Sequence, residues 1–369
     1  MSLKLADILR RHWPDYVVRA GGPHKIPREH WRAVEAVLAC RTERMGGHLY
    51  RCPDCNQLHH AYHSCNHRAC PQCGSHDQHV WAAQQQARLL PVPYYMITFT
   101  VPKQLRAWFI RYDAIAYKLL FDAVAAAIKE LFSNEKYFGG HCGFVAILHT
   151  WTRQMDYHPH LHVMIPAIAI APDGCEVIHP KEPEFLLPHA AVAAYYQKHF
   201  FKILATDHKE AFEAIDRQTL PQTWNVNIQS VGKGKSALRY LAAYVNKSAF
   251  SEQRLLNYDA KGNLLLSWKD SSDGRTKVMT LQPGEFIRRW LLHILPRGFM
   301  RIRHYGFLGG AARKSFFRVR FLLGCGRIVL DLPKLEPLCC RHCQQPLELL
   351  RKLQPVRGPP LSTALLSNP

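Results

Sequence analysis

The chain has 369 residues, and its 48 basic side chains against 28 acidic give a formal net charge of +20. That length allows two or three domains, and the basic excess points to a polyanionic partner, with nucleic acid first. No run of 18 or more apolar residues and no secretory leader is present, so no membrane partner is expected and the expected location is cytoplasmic and nucleoid-associated. Twelve cysteines in such a compartment favour metal binding over disulfides.

In chain order, Leu3 to Trp13 and Arg28 to Cys40 read as short helices, broken by Gly46-Gly47. A cysteine cluster follows: Cys52-Pro53-Asp54-Cys55, Cys65, then Cys70-Pro71-Gln72-Cys73. Two Cys-x-x-Cys knuckles at this spacing predict one tetrahedral zinc ion on Cys52, Cys55, Cys70 and Cys73. Cys65 and the nearby histidines are alternative ligands. Gln78 to Leu90 reads as a helix and Tyr94 to Val101 as a strand. Leu105 to Phe132 has the apolar periodicity of one or two helices, His189 to Leu204 of another, and Trp224 to Gln229 alternates as a strand.

The most informative stretch is Tyr157-His158-Pro159-His160-Leu161-His162, which runs on into an apolar strand. Alternation along a strand puts His160 and His162 on one face, where two imidazoles can share a divalent ion. Phe144 to Trp151 is also strand-like and carries His149. With Thr152 to Pro159 as the hairpin loop, His149 falls opposite His160 or His162, giving a three-histidine site.

Downstream, Lys233-Gly234-Lys235-Ser236 lacks the first glycine of a phosphate-binding loop, so no nucleotide cofactor is expected. The helix-forming run from Ala237 carries Tyr240 and Tyr244 four residues apart, on one helical face. Lys233, Lys235, Arg239 and Lys247 around it, and Arg301 and Arg303 among aromatics later in the chain, are candidate DNA contacts. Residues 251–283 read as short strands and turns, and Glu285 to Leu295 as a helix. Cys339, Cys340 and Cys343 form one further knuckle, which with Cys325 could bind a second zinc ion. The tail from Pro355 reads as disordered.

These landmarks together resemble the two-tyrosine HUH transposases of bacterial rolling-circle insertion sequences. The resemblance is carried by Cys40-Arg41-Thr42, Cys70-Pro71-Gln72-Cys73, Pro93-Tyr94-Tyr95, Leu148-His149-Thr150-Trp151, His158-Pro159-His160-Leu161-His162, Tyr240-Leu241-Ala242-Ala243-Tyr244 and Arg301-Ile302-Arg303-His304-Tyr305-Gly306. It implies an α+β fold: an antiparallel HUH-endonuclease sheet flanked by helices and preceded by a small zinc-ribbon domain. The expected division is 1–90 helical and zinc-binding, 91–310 catalytic, and 311–369 a basic carboxy-terminal region. The implied activity is cleavage and rejoining of single-stranded DNA through 5′-phosphotyrosine on Tyr240 and Tyr244. Mg²⁺ or Mn²⁺ would sit at His160 and His162, and His149 matches the extra histidine of related relaxases. A replication initiator, a relaxase, or a zinc-dependent DNA-binding protein without catalysis are the competing readings.

Overall fold

A computed structural model of the chain describes residues 3–366 apart from Gly74, Pro183, residues 234–237 and 239–248, Ser271 and residues 333–336. Helix α1 (Leu5–Arg19) buries Leu5, Ile8, Leu9, Trp13 and Val17, an apolar stripe at three- and four-residue steps. Helix α2 (Arg28–Ala39) presents Ala33, Val34, Val37 and Leu38 to it, and the Trp13 and Trp31 rings meet edge-on with centroids 5.0 Å apart. Strands β1 (Gly47–Arg51) and β2 (Leu58–Tyr62) then pair across the first cysteine knuckle.

Helix α3 (Ser75–Ala87) leads to β3 (Tyr94–Thr100), and α4 (Arg106–Arg111) and α5 (Asp113–Ser133) form the expected helical stretch in two pieces. Strands β4 (Gly143–Trp151) and β5 (Tyr157–Pro166) make the histidine hairpin. The short pair β6 (Ala169–Ile170) and β7 (Val177–Ile178), helix α6 (His189–Asp207) and β8 (Val226–Ser230) follow. Strands β9 (Leu255–Tyr258), β10 (Leu264–Lys269) and β11 (Thr276–Leu281) form a separate meander. A helix at Pro283–Leu291, β12 (Ile302–Gly306), a helix at Arg313–Leu322 and β13 (Glu348–Leu353) complete the main elements.

The central sheet is antiparallel in the order β12-β4-β5-β3-β8. Phe99, Phe144, Leu148, Leu161, Val163 and Ile165 face α5 and α6, which cover that side with residues such as Leu120, Phe121, Val124, Tyr196 and Phe200. Each fully buried side chain of this size contributes about 1.5–3 kcal/mol, so this layer supplies most of the sheet's rigidity. The opposite face is apolar only at one end, where Tyr94, Met96, Val145, Ile147, Met164 and Leu238 pack with Phe307, Phe316 and Val319. Toward the other end it carries the histidines. Strand β12 closes tightly on β4: Gly306 has φ +55°, and a Cβ there would sit 1.7 Å from the Cys142 carbonyl oxygen, so glycine is required.

The linear domain division does not match the packing. Residues from β9–β11 and the helix Pro283–Leu291, among them Leu264, Leu266, Phe286 and Trp290, share one core with α1 and α2. Strand β13 pairs with β1, and Leu361 and Leu365 near the chain end pack on the same amino-terminal core. Sequence patterning finds a helix or strand locally but carries no record of which distant element it meets.

The hairpin loop is shorter than the sequence suggests, because β5 begins at Tyr157. The Thr152 hydroxyl accepts from the backbone N–H of Gln154 and Asp156 at 3.2 and 3.1 Å, which tightens the turn. Pro159 lies within β5, where its missing N–H coincides with an irregularity in the β4 pairing between His149 and Trp151. The turn residue Met155 has φ +63° and is fully buried in the amino-terminal core. Arg289 donates to the Gln154 carbonyl at 2.9 Å and to Asp156 at 2.8 Å. The tip of the histidine hairpin is thus fixed to the helical layer.

His293 completes this anchor and makes it acid-sensitive. Its Nε2–H donates to the Met155 carbonyl at 3.1 Å and its Nδ1 accepts from the Thr150 hydroxyl at 3.2 Å. Burial lowers its pKa from 6.5 to about 4. The unfolded chain therefore takes up this proton below pH 6.5 while the folded chain excludes it until about pH 4. The stabilisation is complete above pH 6.5 and falls by about 3 kcal/mol as the pH drops through that window. Urea unfolding from pH 7.5 to 4.5 should show this loss, and His293→Gln should make the profile shallower by one histidine's share, the other buried histidines keeping theirs. An unchanged slope in the variant would assign the acid sensitivity elsewhere.

Candidate active site

The hairpin register places His149 directly opposite His160, with His162 opposite Ile147 and paired on its other side with Thr98 of β3. His149, His160 and His162 therefore share the face away from α5. Their ligand nitrogens all lie within 4.8 Å of one another. Ring centroids are 4.5 Å apart for His149 and His162, 4.9 Å for His160 and His162, and 5.3 Å for His149 and His160.

Burial keeps these rings neutral. Desolvation lowers His160 to about 4 and His162 to about 3, and holds His149 well below the ordinary value. Neutral imidazoles are the protonation state a metal ion needs. His160 Nδ1–H donates to the His158 carbonyl at 2.7 Å, which leaves its lone pair on Nε2. Thr98 Oγ1 lies 3.1 Å from His162 Nδ1 and can accept from it when His162 offers Nε2 to a metal. The donor set fits a divalent ion.

Removing the Thr98 hydroxyl is expected to weaken divalent-ion affinity by roughly 10- to 100-fold, the usual cost of losing a support to a metal-bound histidine. Thr98→Val and Thr98→Ser should be compared by Mn²⁺ titration calorimetry. Serine should restore affinity, and equal binding by valine would remove Thr98 from the site.

Four neighbours were not singled out by the sequence. His158 lies on the same face, its ring 5.1 Å from His160, and Arg106 Nη2 donates to His158 Nδ1 at 2.6 Å. Asn227 and Gln229 of β8 continue that face beyond Thr98 and are exposed. Period-two alternation in His158-Pro159-His160-Leu161-His162 was the available signal for His158. Nothing local marks Arg106, which arrives from α4.

The basic candidates separate. Arg301 lies over the Trp151 ring at 5.7 Å, and its charge helps keep His149 neutral. Burial lowers it only to about 10, so it stays cationic at neutral pH. Arg303, two residues on, does not join it. It pairs with Ala146 in β12–β4, on the helix-covered face. Its guanidinium is 4.2 Å from the Phe121 ring and 3.7 Å from Asp122, so it buttresses α5. Lys233 is exposed. Lys235, Arg239, Tyr240, Tyr244 and Lys247 lie outside the described residues.

The cysteines do not form the single expected site. Cys70 and Cys73 join Cys40 and Cys65, while Cys52 and Cys55 join Cys340 and Cys343. In the first group the Cys40 and Cys73 sulfurs are 3.2 Å apart and those of Cys65 and Cys73 3.5 Å. Contact with Cys40 pushes the Cys65 and Cys70 thiols up and Cys73 down. The two knuckles look like partners in sequence because they are neighbours there. The fold turns Cys70 and Cys73 back onto the end of α2, where Cys40 waits. Cys325 packs instead on the apolar cluster around Phe316.

Two family models match the chain: one described as "Putative transposase" over residues 143–315, and one described as "Transposase zinc-binding domain" over residues 8–101. The "Putative transposase y4qJ" of Sinorhizobium fredii (strain NBRC 101917 / NGR234) is 34% identical over 340 residues, covering 87% of this chain and 84% of that protein. The chain belongs to the IS91/IS801 transposase family. A second relative, the "Transposase for insertion sequence element IS801" of Pseudomonas savastanoi pv. phaseolicola, is 26% identical over 309 residues, covering 79% of this chain and 73% of its own. No solved structure matches. Among the described residues no helix is long and apolar enough to cross a membrane. Membership makes this transposase a DNA-processing protein with a zinc-binding amino-terminal region, and the sulfur clusters suit zinc.

Proposed function

We propose that this transposase nicks and rejoins single-stranded DNA through 5′-phosphotyrosine intermediates on Tyr240 and Tyr244, in rolling-circle transposition. The observation that carries the reading is the convergence of three neutral imidazoles on one sheet face. Leu238, two positions before Tyr240, is buried in the apolar cluster on that same face.

Mg²⁺ or Mn²⁺ held by His149, His160 and His162 would act as a Lewis acid toward the charge on the scissile phosphate. Nitrogen donors favour Mn²⁺ of the two. The chain's own residues do the rest. The phenolic oxygen of one tyrosine attacks phosphorus and gives up its proton, and the 3′ oxygen leaves as a hydroxyl. The phosphotyrosine conserves the bond energy, so a 3′ hydroxyl rejoins the strand by the reverse step without ATP. Arg301 and the Arg106–His158 pair offer positive charge and N–H donors beside this face, suited to nonbridging phosphate oxygens. The exposed amides of Asn227 and Gln229 offer an uncharged continuation of the path along β8.

The test is incubation with end-labelled single-stranded element termini and Mn²⁺, followed by denaturing electrophoresis. A covalent protein–DNA adduct that forms on single strands and not on the matched duplex is expected. Cleavage without an adduct would replace this chemistry with hydrolysis.

A further inference from the structure

The zinc-binding match ends at residue 101, yet one sulfur cluster takes half its members from the other end of the chain. We propose that Cys52, Cys55, Cys340 and Cys343 bind a second structural zinc ion, and that they form a zinc ribbon split between the two ends of this chain.

The two knuckles have the same backbone construction. In the first, the Cys52 N–H donates to the Gln57 carbonyl and the Asn56 N–H to the Cys52 carbonyl, both at 3.0 Å. In the second, Cys340 N–H donates to the Gln345 carbonyl at 2.8 Å and Gln344 N–H to the Cys340 carbonyl at 2.9 Å. The residue after the second cysteine is left-handed in both, Asn56 at φ +53° and Gln344 at φ +62°. This turn points both sulfurs of a Cys-x-x-Cys to one side. The sequences that produce it, Cys-Pro-Asp-Cys-Asn-Gln and Cys-Arg-His-Cys-Gln-Gln, share that spacing and the terminal glutamine.

The knuckles face each other. Cys52 and Cys343 sulfurs are 3.3 Å apart, Cys55 and Cys340 3.6 Å, and Cys55 and Cys343 3.8 Å. All four lie within 4.8 Å of one another, the spread of a tetrahedral thiolate site. Supporting donors are in place: His59 Nε2–H points at the Cys340 sulfur from 3.3 Å, and the His342 backbone N–H from 3.4 Å. Each knuckle runs into a strand of one sheet, β2 after the first and β13 after the second, with β1 between them. The paired knuckles and three strands are thus one small domain whose halves are 285 positions apart in the chain.

This site does not depend on the DNA chemistry. The ion would hold β13 on β1 and tether the carboxy-terminal segment to the amino-terminal helices. A small three-stranded sheet with several exposed residues in β13 has little core of its own, and bound metal is the usual remedy.

The experiment counts zinc by elemental analysis in protein purified under reducing conditions. His160→Ala with His162→Ala serves as the background, so that histidine-bound zinc does not enter the count. Two ions per chain are expected, falling to one when Cys340→Ser and Cys343→Ser are added. One ion in both proteins, two in both, or iron at the second site would overturn the proposal. Should the serine variant fail to fold, titration of the background protein with a mercurial reagent decides. Release of two zinc ions supports the proposal. A single ion released, with a Cys52–Cys343 or Cys55–Cys340 crosslink found by mass spectrometry without reduction, overturns it.

Discussion

His162→Ala is expected to lower metal-dependent cleavage of single-stranded DNA by at least roughly 10²- to 10³-fold, the scale of losing one preorganised electrostatic stabiliser in an active site. His162 is the most constrained of the three imidazoles. It sits on the central strand, flanked by Ile147 and Thr98, with Nδ1 hydrogen-bonded to the Thr98 hydroxyl. Alanine removes a ligand that no neighbour can replace from the same position. His160→Ala should behave similarly, because its Nδ1–H is committed to the His158 carbonyl and its Nε2 lone pair is what the site uses. Stability should change little in the apo state, since the helix-side core beneath Leu161 and Val163 is untouched. The check is single-turnover cleavage across a Mn²⁺ series, alongside thermal unfolding without metal. Wild-type cleavage by either variant at limiting Mn²⁺ would remove the imidazoles from the chemistry.

Tyr240→Phe combined with Tyr244→Phe is expected to eliminate the covalent adduct altogether. Phenylalanine keeps ring area and helix propensity and deletes only the nucleophilic oxygen. Each single variant should still form adduct on a simple single-stranded substrate, yet fail in complete transposition, where two strands must be held in turn. Mass spectrometry of the linked peptide identifies the site. An adduct that survives in the double variant would point to another phenol. Tyr157 and Tyr305 are poor candidates on structural grounds. The Tyr157 hydroxyl is bound to Tyr117 at 2.7 Å, and burial pushes its pKa up, away from ionisation. The Tyr305 ring stacks on Phe144, on the helix-covered side of the sheet.

The sequence by itself determined the parts of this protein whose information is local. Alternation in His158-Pro159-His160-Leu161-His162 and in Phe144 to Trp151 fixed which residues share a sheet face, and a single tight turn was enough to oppose His149 to that pair. The amphipathic stripes of α1, α2 and α5 are likewise readable, because their period is set within the helix itself. Alternation would have put Arg301 and Arg303, two positions apart, on one face; they differ because Arg301 lies just before β12, which begins at Ile302. Only the tertiary structure decided the sulfur pairing. Cys52 and Cys55 meet Cys340 and Cys343, and Cys70 and Cys73 meet Cys40 and Cys65, because chain reversals bring distant turns together. It alone brought Arg106 to His158, Met155 into the amino-terminal core, and β13 onto β1. Tetrahedral coordination and core packing require proximity in space, and a residue spacing specifies proximity only over the few positions that one turn, helix or hairpin can span.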